Sequence, residues 1–136
     1  MLHRLLRHLI LLTLSLAPLP AAPLITEFLS DNSSGHQDED SDFSDWIEIH
    51  NPDPSPIDLA GWHLTDDPAL PSKWTFPSHI LAPNDYLIVF ASGKNRAISG
   101  SEFHTNFALS RSGGYLALLT PSAAIESFFD YPKQAT

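Results

Sequence analysis

Between Asp45 and Pro52 the chain alternates, with Trp46, Glu48 and His50 interleaved with Ile47 and Ile49. Strand side chains point to opposite faces with a period of two, so this segment reads as a β-strand with one buried face. An acidic and polar run over residues 31–45 precedes it. Asn51-Pro-Asp-Pro54 ends it, because proline has no N–H to give a ladder.

The same reading extends along the chain. Leu24-Ile-Thr-Glu-Phe-Leu29, Ile57-Asp-Leu59, Trp62-His-Leu-Thr65 and Lys73-Trp-Thr-Phe76 are further short strands. Tyr86-Leu-Ile-Val-Phe-Ala91 is apolar throughout, which predicts a central strand covered on both faces. His104-Thr-Asn-Phe107 is a weaker extended candidate. Ser110-Arg-Ser-Gly-Gly114 is expected to form a tight hairpin turn ahead of Tyr115-Leu-Ala-Leu-Leu119, and Ile125 to Tyr131 forms the last strand. Leu81 to Asp85 reads as a turn. Short strands every 8–12 residues, separated by many of the twelve Pro and six Gly, argue for a β-sandwich or barrel. No stretch after Ala22 carries a helical period.

The first 22 residues have a different character. Arg4, Arg7 and two histidines precede a short apolar run, Leu9 to Leu16, and Pro18, Pro20, Ala21 and Ala22 form a small-residue exit. This is the pattern of an export signal, with removal expected after Ala22. The apolar run falls short of the roughly 20 residues that span a bilayer. An uncleaved anchor is the alternative. The remaining residues 23–136 suffice for one domain. With no cysteine, an exported chain of this size depends on a packed core or a bound ion.

On residues 23–136, five Lys and Arg against sixteen Asp and Glu leave a charge of −11. Nucleic-acid phosphates and anionic lipid are poor partners for such a surface. The charge is also uneven. Residues 23–67 hold twelve acids and no Lys or Arg, whereas residues 68–136 hold all five cations and four acids. Such asymmetry allows a charged partner or self-association, although an acidic loop beside a mixed surface explains it too.

An ordered series of motifs carries a family resemblance. Leu24-Ile-Thr-Glu27, Asp45-Trp-Ile-Glu-Ile-His-Asn51 and Ile57-Asp-Leu-Ala-Gly-Trp-His-Leu-Thr-Asp66 follow one another, then Lys73-Trp-Thr-Phe-Pro77, Tyr86 to Ala91, His104 to Ser110 and Gly114-Tyr-Leu-Ala-Leu118. The series resembles the lamin tail domain, in particular its bacterial exported branch. The resemblance implies an all-β, immunoglobulin-like sandwich that binds or tethers rather than catalyses. Its expected partner is a protein or cell-envelope component, met outside the cytoplasm. Members usually run on past the segment resembling Tyr131-Pro-Lys-Gln134, whereas this chain stops at Thr136. Either the last strand is lacking or the sequence is the front of a larger exported protein, an enzyme among the alternatives.

The residues themselves offer little chemistry. Asp38, Asp40, Asp42 and Asp45 set hard oxygen ligands close together, which suits Ca²⁺ and would make a calcium-stabilised adhesion module. Asp38-x-Asp-x-Asp42 copies the start of an EF-hand loop, but Phe43 stands where that loop needs Gly and Ile49 where it needs Glu. A solvated, mobile acidic loop is the competing account, because so polar a run buries little apolar surface. His36, His50, His63, His79 and His104 have no zinc-site spacing, and His50 and His63 are expected on wet or half-buried strand faces. No nucleophile motif is found. Trp46, Trp62, Trp74, Phe76, Tyr86 and Phe90 read mostly as core rather than as a sugar-stacking platform. Lys94, Arg96 and Arg111 read as ordinary loop-tip charges.

Overall fold

The computed structural model describes residues 20–133; most of the expected export segment, residues 1–19, lies outside them. Among the described residues ten strands are present: β1 (Leu24–Leu29), β2 (Asp45–His50), β3 (Ile57–Asp58), β4 (His63–Thr65), β5 (Trp74–Thr75), β6 (Ile80–Leu81), β7 (Tyr86–Ala91), β8 (Phe103–His104), β9 (Gly113–Leu119) and β10 (Ile125–Pro132). They form two four-stranded sheets, β1-β2-β7-β8 and β10-β9-β4-β5, with β3 and β6 paired as a separate ribbon. The pairs are antiparallel except β7 with β8. The architecture is the all-β, immunoglobulin-like sandwich expected from the sequence.

The alternation in β2 decides how the sheets face each other. Ile47 and Ile49 are fully buried, and Ile47 lies opposite Val89 of β7. From the facing sheet come Leu64, Trp74, Leu116 and Leu118. Phe76, Phe103 and Phe107 fill the interior between the sheets and their loops, and the Phe76 and Phe103 rings meet edge to face at 5.9 Å. Of the six singled-out aromatics, Trp74, Phe76 and Phe90 are buried, Trp46 and Trp62 are half-buried, and Tyr86 is exposed with its ring stacked on His50 at 4.2 Å.

Three expectations need correction. Leu81 belongs to β6, which pairs with β3, rather than to a turn. His63 is buried, and its Nδ1 meets Thr75 Oγ1 at 2.8 Å. The 110–114 segment is not a hairpin, because β8 and β9 belong to different sheets and the chain crosses the sandwich between them. Gly113 is required for another reason. It sits opposite Pro132 with φ at +106°, and a Cβ there would lie 2.9 Å from Tyr131 O. Gly113→Ala therefore combines backbone strain with a clash against β10. It should cost at least about 1 kcal/mol, read as a lower urea midpoint at unchanged m-value.

Candidate functional site

The acidic loop between β1 and β2 is ordered by two polar side chains. Asn32 is buried and donates through Nδ2 to His36 O at 2.6 Å and Ser44 O at 2.9 Å, while its Oδ1 accepts from Gly35 N. Asp38 is buried too, with no exposed side-chain surface. Its Oδ1 accepts from Asp40 N and Asp42 N, and its Oδ2 from Ser44 Oγ at 2.8 Å. Asp and Asn side chains that bond the backbone a few residues on replace the ladder bonds a loop lacks.

The loop lies over the outer face of the first sheet. His36 stacks on Phe90 at 5.6 Å with the rings 3° from parallel, and His104 stacks on the same ring at 5.4 Å. This is what covers Phe90 on the side away from the core. The sequence reading of β7 as covered on both faces holds for Val89, Phe90 and Ala91 but not for Tyr86. The loop is exposed over most of residues 33–43, as the solvated-loop account expects, but the buried Asn32 and Asp38 anchor it. A run too polar to make a hydrophobic core still packs when its buried groups are hydrogen-bonded.

Lys94 and Arg96 are likewise not ordinary loop-tip charges. Lys94 Nζ reaches Asp38 Oδ2 at 2.7 Å, Asp40 Oδ2 at 2.7 Å and Asp42 Oδ2 at 2.9 Å. Arg96 Nη1 binds Asp40 Oδ2 at 2.7 Å and Glu39 Oε1 at 3.1 Å. Only Arg111 fits the expectation, well exposed and 3.9 Å from Asp31. The acidic first half and the more basic second half thus meet inside one domain.

The electrostatics follow from this contact. Burial alone would raise the Asp38 carboxyl, but bonds from Lys94, Ser44, Asp42 N and Asp40 N outweigh it and hold it well below the usual carboxylate range. Bonds from Lys94 and Arg96 lower Asp40. Burial acts to lower Lys94, and its three carboxylate partners more than reverse this. His104 bonds Ser92 Oγ through Nδ1 at 2.9 Å, while its Nε2 is buried without a hydrogen-bond partner among the described residues, 3.9 Å from Glu39 Oε1. Burial lowers its pKa, so the ring is neutral at neutral pH.

Of the four residues expected as calcium ligands, Asp38, Asp40 and Asp42 converge, each with an oxygen within 4.8 Å of the others. Asp45 stands apart at the start of β2. It accepts from Asn32 N at 3.3 Å, and burial raises its pKa. The position between the three converging carboxylates is taken by the Lys94 ammonium.

A second surface stands out on the other sheet. β10, the longest strand, is outermost in its sheet and pairs with β9. Ile125 and Phe128 are more than half exposed and Phe129 is 37 % exposed. Phe129 packs on Phe28 of β1 at 5.5 Å, and Phe128 stacks on Tyr115 at 6.2 Å. Among the described residues no helix is long and apolar enough to cross a membrane.

Comparison with known proteins finds no match among curated sequences. The family profile of the Lamin Tail Domain, a non-catalytic immunoglobulin-like family, matches residues 19–131. With two four-stranded sheets and this match over most of its length, the chain belongs to the lamin tail domain family.

Proposed function

We propose that this is a non-catalytic binding and anchoring module of the bacterial exported type, acting in the cell envelope or outside the cell, with β10 as its contact surface. The observation that carries the reading is β10 itself: eight residues at the margin of a sheet, with Ile125 and Phe128 facing solvent. Large apolar side chains on an outermost strand are a liability unless a partner covers them. Exposed Glu126 and Asp130 lie in the same strand. The complementary ligand is an extended protein segment that sets apolar side chains against Ile125 and Phe128 and basic ones against the two acids.

The test is fractionation of cells producing the wild type or the Ile125→Asp/Phe128→Asp variant. The wild type is expected with the envelope and the variant is expected to be released, with circular dichroism showing both folded. Equal partitioning of the two would remove β10 as the contact surface. Sedimentation on the purified chain separates a further outcome, since a dimer lost in the variant would make a second copy the occupant.

A further inference from the structure

The residues just before β1 are part of the folded unit. Ala21 N donates to Asp53 Oδ2 at 2.8 Å. Pro23 is buried and Ala22 half-buried. Pro20, Ala22, Asp53, Ile57 and Trp62 border a cavity of about 320 Å³. Residues 20–23 therefore lie as a strap against the β2–β3 loop and Trp62.

Asp53 is 6 % exposed, and its other oxygen accepts from Ser55 N at 2.8 Å. Both of these bonds come from neutral amides. A buried carboxylate is costly unless its bonds are complete, and it gains most from a cation. An α-ammonium on Ala21 would supply one, with the ordinary pKa of about 7.7–8.0 for such a group. Hydrolysis of the Pro20–Ala21 bond by an envelope endopeptidase would place it there, leaving a carboxylate on Pro20.

We propose that Asp53 is the docking group for the leading residues of the exported chain, and that leader removal cuts no later than the Pro20–Ala21 bond. A cut after Ala22, where the leader's small-residue exit ends, would take Ala21 away and strip Asp53 of one of the two N–H donors it has among the described residues. The family match, which starts at residue 19, also places the strap inside the domain. The proposal rests on the export reading above.

N-terminal sequencing and intact mass of the exported product test it. A first residue at Ala21 or upstream is expected, and a product beginning at Ala22 or Pro23 overturns the proposal. Finding only full-length protein in the cytoplasm would sink the export reading instead. The docking is then read in the full chain with Ala21→Pro, which deletes the N–H and fixes φ, and Ala21→Gly, which keeps the N–H. The proline variant is expected to melt a few degrees lower and to be cut by a nonspecific protease within residues 20–23, with the glycine variant resistant there. Identical melts and cleavage patterns for both variants and the wild type would overturn the docking.

Discussion

Replacing Asn51 with leucine should lower the unfolding free energy by about 3 kcal/mol, among the largest losses available to a single polar side chain here. Asn51 is fully buried at the end of β2. Its Nδ2 donates to Ser55 O and Leu81 O at 3.0 Å and to Ala82 O at 3.1 Å, and its Oδ1 accepts from Asp53 N at 2.9 Å. One side chain thus ties the β2–β3 loop to the end of β6. Leucine has the same number of side-chain heavy atoms but is bulkier, and it leaves these buried groups unpaired, each at about 1–3 kcal/mol, reduced where water enters. Urea unfolding should show a lower midpoint at unchanged slope. A change below about 1 kcal/mol would mean that the loop re-pairs its backbone without Asn51.

The strands were legible where alternation was strong. Ile47 and Ile49 against Glu48 gave β2 its register and its buried face, because a one-residue slip would put both isoleucines in water. The two-residue strands were less so. Ile80–Leu81 is too short to show a period, and only its pairing with Ile57–Asp58 makes it a strand. The Ser110 to Gly114 stretch misled because glycine serves both tight turns and close backbone approaches. At Gly113 the second use applies, and the approaching chain, Tyr131, is eighteen residues away in sequence.

The acidic loop shows a different limit. Composition identified the Asp38, Asp40 and Asp42 cluster, and the asymmetry of charge along the chain was visible as well. That Lys94 and Arg96 would fold onto that cluster was not visible, since the partners are more than fifty residues apart. The available signal was the pairing of an acidic segment lacking cations with a later segment carrying all of them. That pairing orders the loop through Asp38, which is buried where Lys94 reaches it, while Asp40 and Asp42 keep part of their surface in solvent.

Lys94→Met should therefore have an effect that depends on pH. At neutral pH it leaves Asp38 buried without its cation and Asp40 and Asp42 crowded beside it. The expected cost is about 2 kcal/mol, below the 3–5 typical of enclosed pairs because Lys94 keeps a fifth of its side-chain surface exposed. The sign follows from the carboxyl. In the wild type the Asp38 pKa is depressed below its unfolded value of about 3.9, so its contribution is complete above that pH and is lost as pH falls through the folded value. In the variant burial remains and the strongest opposing bond is gone, so the Asp38 pKa moves upward. The stability difference between the two proteins should then shrink as pH falls from 7 toward 3.5. Adding Asp38→Asn to Lys94→Met should recover part of the loss at pH 7, because no charge is then left buried. A penalty independent of pH would show that Lys94 contributes packing rather than charge. The same geometry bears on calcium. An ion at Asp38, Asp40 and Asp42 must displace Lys94 Nζ from 2.7–2.9 Å contacts with all three. The wild-type melt should accordingly be the same in millimolar Ca²⁺ and in chelator. A rise of several degrees with Ca²⁺ would show that the ion wins the position from the lysine.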